Sequence, residues 1–234
     1  IDLEKYCHQL CENKKNAMII SLVPTQLRRL MFNEIGLRIL KSFRLIWVGG
    51  SKLTEDLAAL ARKEELNLAP CYGATETSAM ITSLPPKEFL SGRNDCGSPL
   101  KDVKIKLGNN NQLEVKTPRI AIARLRDGLI ETITDQSGWW KSGDYAKIIY
   151  QNNIPMLTIE GRVDNAVNSG GVTIFPEILE RRLLSLSIKY NFPIENILFL
   201  PVQDDEWEFR INALIRFKKD KLNPKNNKIL FDLK

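Results

Sequence analysis

Histidine is almost missing from this chain: among 234 residues there is one, His8. Imidazole-based nucleophilic or acid–base schemes therefore rest on His8 or fail, and its surroundings give no sign of such a role. Cysteine is sparse too, at Cys7, Cys11, Cys71 and Cys96. The first two bracket His8, but a zinc site needs a matching second pair or a further histidine, and neither is present. Scattered reduced thiols in a cytoplasmic protein are the expectation. No apolar run approaches the roughly 18 residues of a membrane span, which excludes a helix-threaded membrane protein. The opening Ile1-Asp2-Leu3-Glu4-Lys5 has neither an initiator Met nor a basic-then-apolar signal pattern, so the numbering is expected to start inside a gene product. No internal repeat is visible.

What is there is globular in texture. Hydrophobic residues make up 43% and charged residues 26% of the chain, enough for one large domain or two modest ones. The formal net charge of +6 raises nucleic-acid binding, since clustered Lys and Arg neutralise phosphates. Most basic residues, however, alternate with acids, as in Ala61-Arg62-Lys63-Glu64-Glu65. The exception is the tail, where Lys218, Lys219, Lys221, Lys225 and Lys228 crowd together with Phe217 and Phe231 as the only aromatics. A solvated tail accounts for it, and no nucleic acid is expected as a partner.

The front of the chain reads as α/β. Ala17 to Val23 is a short apolar strand ended by Pro24, helical stretches follow at Gln26–Leu30 and Ile35–Lys41, and Arg44 to Val48 is a second strand. Thr54 is placed to cap a helix with Leu57, Leu60 and Ala61 on its apolar stripe. A third strand, Leu68 to Cys71, runs into a loop over Tyr72–Thr77. Strand, helix and strand at this spacing form a parallel unit, whose ligand site belongs at the carboxyl ends of the strands.

From about Asp95 the pattern turns to short alternating strands: Val103–Leu107, Gln112–Val115 across Asn109-Asn110-Asn111, and Ile120–Leu125. Lys147–Tyr150 and Met156–Ile159 flank the hairpin signal Asn152-Asn153. Together they predict a small antiparallel β-barrel. After Gly161-Arg162 a small α+β unit is expected, with Val172–Ile174, a helix from Pro176 carrying Ile178, Leu179, Leu183 and Leu186, and strands at Ile197–Leu200 and Arg210–Phe217.

Five groups of residues carry chemistry. Gly49-Gly50-Ser51 closes the second strand, either as a tight turn or as a place for a ligand to lie against bare backbone. Tyr72-Gly73-Ala74-Thr75-Glu76 puts an aromatic face, a hydroxyl and a carboxylate together at a strand end. Those are the groups a nucleotide needs for its base, its phosphate and its magnesium ion, although a polar surface loop has the same composition. In Gly138-Trp139-Trp140-Lys141-Ser142-Gly143-Asp144, the Asp144 carboxylate can accept from two neighbouring ribose hydroxyls. Gly161-Arg162-Val163-Asp164 adds a fixed cation and a hinge-like acid, and Ser169-Gly170-Gly171 offers backbone to a thin ligand arm.

The order and spacing of these groups, with Pro176-Glu177 and Glu180 following, resemble the acyl-adenylate-forming superfamily over about Ala17 to Phe217. The acyl-CoA synthetase branch, and within it the o-succinylbenzoate–CoA ligases of menaquinone and phylloquinone synthesis, is most similar in Val23-Pro24-Thr25-Gln26-Leu27, Ile81-Thr82-Ser83-Leu84-Pro85 and Gly97-Ser98-Pro99-Leu100. The resemblance implies an ATP-dependent ligase that forms an acyl-adenylate and then a coenzyme A thioester. It implies Gly49, Gly50 and Ser51 lining the adenine and acyl pocket, Tyr72 and Gly73 beside the adenine, Thr75 on the α-phosphate and Glu76 holding Mg2+. Asp144 and Arg162 would grip the ribose, Asp164 would be the pivot, and Ser169, Gly170 and Gly171 would meet the pantetheine arm of coenzyme A.

ATP, coenzyme A and a small carboxylic acid, all anionic, would be the partners, with Mg2+ as cofactor and homo-oligomer formation left open. The implied domains are 1–160, the later part of a large AMP-binding domain (1–96 α/β, 97–160 β-barrel), and 161–234, a small mobile domain. The superfamily's Ser/Thr/Gly-rich phosphate loop and the lysine that closes over the adenylate find no match here; Lys225 and Lys228 lie in the wrong context. The chain alone is therefore expected to be inactive. The alternatives are another acyl-CoA synthetase or a non-catalytic nucleotide-binding remnant.

Overall fold

The computed structural model describes residues 18–218. Cys7, His8, Cys11 and the lysine cluster beyond Lys218 lie outside the described residues. The chain divides between Ile159 and Glu160 into two compact units.

In the first unit, β1 (Ile19–Leu22), β2 (Leu45–Val48) and β3 (Leu68–Ala74) are laid side by side in parallel, and β4 (Ala79–Ser83) and β5 (Ser98–Pro99) extend the sheet antiparallel. Pro24 starts α1 (Pro24–Met31), where its missing N–H costs nothing. The Asn33 side chain caps α2 (Glu34–Leu40), accepting from Gly36 N at 2.9 Å. Thr54 stands at the N-cap of α3 (Glu55–Lys63), but its side chain makes no capping bond. Beside it the Asp56 carboxylate accepts from Arg28 at 2.6 Å, and the Thr54 hydroxyl and the Arg28 guanidinium together outweigh the desolvation of that group and hold its pKa below the usual range. Leu57, Ala58 and Ala61 turn inward from α3 to meet Leu22, Ile46, Val48 and Leu68 from the strands, Leu27 and Leu40 from the first two helices, and Phe89 from the short α4 (Pro86–Leu90).

A second core fills the antiparallel region, built from Ile81, Val103, Leu113, Val115, Trp140, Ala146 and Leu157. Its strands are β6 (Lys104–Leu107), β7 (Gln112–Lys116), β10 (Trp140–Gln151) and β11 (Ile154–Arg162), hydrogen-bonded in the order β11-β10-β7-β6. Cys96 N donates to Leu157 O at 2.7 Å and Leu157 N to Gly97 O at 3.0 Å, which ties β11 to the segment leading into β5. The expected strand over Ile120–Leu125 begins later: Ala123–Arg126 (β8) pairs with Leu129–Thr132 (β9) as a separate hairpin. Residues 117–121 are instead held by bonds to the β3–β4 turn, as described below.

The second unit, taken by itself, contains β12 (Val167–Ser169) and β13 (Val172–Ile174), joined at Gly170-Gly171, then α5 (Pro176–Lys189), β14 (Ile194–Asp204) and β15 (Glu208–Phe217). Both turn glycines have positive φ, +55° and +79°, the left-handed values a two-residue hairpin turn requires. Val167, Ile194 and Ile197 are buried there, and Glu180 accepts the backbone N–H of Phe199 at 3.1 Å, pinning α5 to β14. No helix among the described residues is long and apolar enough to cross a membrane.

Candidate active site at the ends of the parallel strands

Tyr72, Gly73 and Ala74 are not loop residues as the sequence pattern suggests; they continue β3. The strand pairs in parallel with β2 up to Pro70, then pairs antiparallel with β4 from Cys71 onward, with a bulge between Tyr72 and Gly73. At Gly73 the two backbones come so close that a Cβ would stand 2.2 Å from Ala79 O and 2.6 Å from Met80 Cα. Only glycine fits there. Thr75, Glu76 and Thr77 then form one 3-10 turn before β4.

That turn is fixed from within and from one side. Thr77 is fully buried; its hydroxyl accepts from Ala74 N at 2.9 Å and donates toward Ala79 O at 2.7 Å. Ala121 N donates to Glu76 O at 2.8 Å, and Ser78 Oγ donates to Arg119 O at 2.9 Å. Arg119 reaches Met80 O at 3.0 Å and pairs with Asp102 at 2.7 Å. That guanidinium holds the Asp102 carboxyl below the ordinary carboxylate range. The backbone of the turn is thus clamped, while Thr75 is exposed and Glu76 half-buried.

Asp144 also sits within a strand, β10. Gly143 has φ +74°, and the β10–β7 register breaks between Lys141 and Tyr145. The break turns the carboxylate toward β3, where the Tyr72 hydroxyl donates to Asp144 Oδ2. The buried Ser142 accepts the Asp144 backbone N–H at 3.0 Å. Tyr72 and Asp144 are 72 positions apart in sequence, so a contact between them is not visible in motif spacing.

Gly49 ends β2 directly beside Cys71: a Cβ on it would lie 2.8 Å from Cys71 Sγ. Gly50 follows with φ +79°, turning the chain away over exposed Ser51. Burial pushes the Cys71 thiol up to about 11, and Cys96 likewise to about 11, so both are protonated packing groups. The structure therefore brings Gly49, Gly50, Ser51, Tyr72, Gly73, Thr75, Glu76 and Asp144 to the carboxyl-end side of the parallel strands.

Arg162, Asp164, Ser169, Gly170 and Gly171 belong to the second unit. Arg162 and Asp164 form an exposed ion pair of 2.7 Å. Gly170 lies against the Trp207 ring, where a Cβ would meet ring carbon at 2.3 Å, and its N–H donates to Trp207 O at 3.0 Å.

Sequence reasoning missed Thr77, Ser142 and Arg119. Thr77 and Ser142 lie inside the quoted motifs, but their hydroxyls serve backbone groups that only the fold brings close. Arg119 gives no local signal. Among the described residues no group of three or more His, Cys, Asp or Glu could hold a metal ion. A single carboxylate at Glu76 fits a magnesium ion that takes its other ligands from phosphate oxygens and water, and fits no ion needing a full protein cage.

The chain is 29% identical over 203 residues to 2-succinylbenzoate–CoA ligase of Escherichia coli, covering 87% of this chain and 41% of the relative. It is 26% identical over 204 residues to the enzyme of the same name from Listeria monocytogenes, covering 87% of this chain and 42% of that one. The chain thus spans about two-fifths of the length of these relatives. A solved structure of E. coli MenE with a phenylether-linked analogue of OSB-AMS superposes at TM-score 0.68 and 27% identity, over 92% of this chain and 44% of that one. Bacillus subtilis MenE with ATP and magnesium has the same fold at TM-score 0.73 and 23% identity, over 94% of this chain and 45% of that one. The family model for AMP-binding enzymes matches residues 2–119, and the chain belongs to that family.

Proposed function

We propose that this chain carries the adenosine-side half and the moving unit of an AMP-forming carboxylic acid–CoA ligase acting on 2-succinylbenzoate, in menaquinone or phylloquinone synthesis. The observation that carries the reading is the Tyr72–Asp144 hydrogen bond beside the clamped Thr75-Glu76 turn, because it puts a carboxylate suited to ribose hydroxyls and a hydroxyl suited to a phosphate at one strand end. The relatives named for that ligase support the choice of acid. ATP and coenzyme A as co-substrates support a cytoplasmic location.

In the first half-reaction a carboxylate oxygen attacks the α-phosphorus of ATP; the new acyl–oxygen–phosphorus link forms as the bond to pyrophosphate breaks. In the second, the sulfur of coenzyme A attacks the acyl carbon and AMP leaves. The nucleophiles are substrates, so the protein's work is placement and charge stabilisation. Asp144 takes the ribose hydroxyls, aided by Arg162; Tyr72 and Gly73 border the adenine, and Gly49, Gly50 and Ser51 the pocket beyond. The Thr75 hydroxyl donates to the α-phosphate. Glu76 would hold Mg2+, which supplies charge neutralisation at the phosphates. Asp164 is the pivot between the half-reactions, after which Ser169, Gly170 and Gly171 meet the pantetheine arm.

The test is ATP–pyrophosphate exchange by the complete gene product. Exchange should depend on 2-succinylbenzoate and be followed by thioester formation with coenzyme A; exchange that prefers another acid would replace the substrate, and none with any acid would favour the nucleotide-binding remnant. The 234-residue polypeptide alone should show no exchange, since no phosphate loop and no adenylate-closing lysine is found in its sequence. Activity above background from it would overturn that claim.

A further inference from the structure

The pivot segment of the second unit is exposed in its middle and tied at both ends. Asp164 is 71% exposed at its side chain and pairs with Arg162. Before it, Arg181 of α5 donates to Glu160 O. After it, the Asn165 amide donates to Glu177 Oε1. Arg181 Nε also lies 3.4 Å from the Glu177 backbone carbonyl, so both ties leave the first turns of one helix.

Glu177 is only half used. Its Oε2 is buried and has no hydrogen-bond partner among the described residues. A buried carboxylate oxygen without a donor is costly and asks for an explanation. This oxygen faces Gly161, where an added Cβ would stand 3.2 Å away, so the empty side of the carboxylate opens onto the segment that must move.

We propose that Glu177 is a positioning residue for the pivot, a latch with two seats. Oε1 holds Asn165 in the arrangement described here. Oε2 accepts a backbone N–H of the Arg162–Asn165 turn when Asp164 takes its other φ/ψ values. Gly161 keeps that second seat open, and Arg181 keeps the strand end from following the turn. A swing between two arrangements needs a bistable element with distinct contacts in each, and a carboxylate engaged through one oxygen at a time provides it. The inference rests on the reading of Asp164 as the pivot of a two-step ligase.

The experiment is Glu177→Gln in the complete gene product, with the half-reactions assayed separately. Glutamine keeps a carbonyl oxygen for Asn165 but puts an NH2 group where Oε2 stood. Exchange should stay within about twofold of the parent while thioester formation falls about tenfold, the size of one hydrogen bond to a charged group. Gly161→Ala, which fills the second seat, should reproduce this split and guards against a glutamine variant that fails to fold. Equal losses in both half-reactions, or no loss in either variant, would overturn the latch. If the parent itself shows no exchange, the ligase reading fails. Amide hydrogen exchange then tests the latch alone: Glu177→Ala should speed exchange at residues 162–165 about tenfold in the 234-residue chain and Glu177→Gln should not, and matched rates would sink it.

Discussion

Replacing Asp144 by alanine removes the acceptor of the Tyr72 hydroxyl and the proposed acceptor of two ribose hydroxyls. A hydrogen bond to a charged group contributes roughly 1.5–3 kcal/mol. Because Asp144 is only partly buried, the lower figure applies, giving about 3 kcal/mol for two bonds or about two orders of magnitude in KM for ATP. On that assignment the ribose is gripped equally in ground and transition states, so kcat should hardly change. Tyr72→Phe should raise KM about tenfold, through a carboxylate that is present but less well aimed. In the double variant the phenylalanine should add little, since the group it aims is gone. Steady-state kinetics of the complete gene product at saturating acid and coenzyme A measures all four corners of the cycle. An unchanged KM for ATP in Asp144→Ala would refute the ribose assignment, and strictly additive effects would refute the coupling.

Gly73→Ala should destabilise the first unit by about 1–3 kcal/mol or more, because a methyl would meet backbone atoms of β4 rather than a movable side chain; an unshifted thermal midpoint would contradict the close crossing. Asp164→Pro should impair one half-reaction far more than the other, since proline fixes φ near −65°; equal losses would argue against a pivot there. Cys71 and Cys96, raised from about 9 to about 11 by burial, should react with iodoacetamide much more slowly in the folded chain than in denaturant at pH 8.5, read by peptide mass spectrometry. The unfolded thiols ionise first as pH rises, so this contribution to stability is present below about 9 and is lost between about 9 and 11. Equal alkylation rates in the two states would show that neither thiol is shielded.

Much of the fold was legible because the strands announce themselves locally. Ile19–Leu22, Leu45–Val48 and Leu68–Pro70 are apolar runs cut off by proline or glycine, and Asn152-Asn153 marks its hairpin with positive φ at both residues. What escaped depended on partners far along the chain. Tyr72 to Ala74 looked like part of a loop because Gly73 lies among them and the polar Thr75, Glu76 and Thr77 follow, yet β4 supplies backbone partners and keeps them extended. The contact of Asp144 with Tyr72 escaped because it depends on a register break inside β10, where Gly143 takes a positive φ. Thr54 read as a helix cap, and it does stand at that position, but its side chain makes no capping bond. The candidate residues were readable as a set; their clamps, Thr77, Ser142 and Arg119, were not, since each acts through a neighbour that only folding supplies.

The change of partner along β3 bears on the order in which the molecule assembles. Its last four residues pair with a strand that begins only five residues after Ala74, a local contact that forms early. Its first three pair in parallel with β2 across a helical crossover, a slower closure. The bond from Tyr72 to Asp144 spans 72 positions and waits for β10. On a ribosome, the Thr75-Glu76 turn can therefore be in shape well before Asp144, the proposed ribose acceptor, has been synthesised. Under the proposed roles, nucleotide affinity would then arrive with the second half of the first unit, and a nascent chain stopped before Gly138 would carry a finished turn without the Asp144 carboxylate.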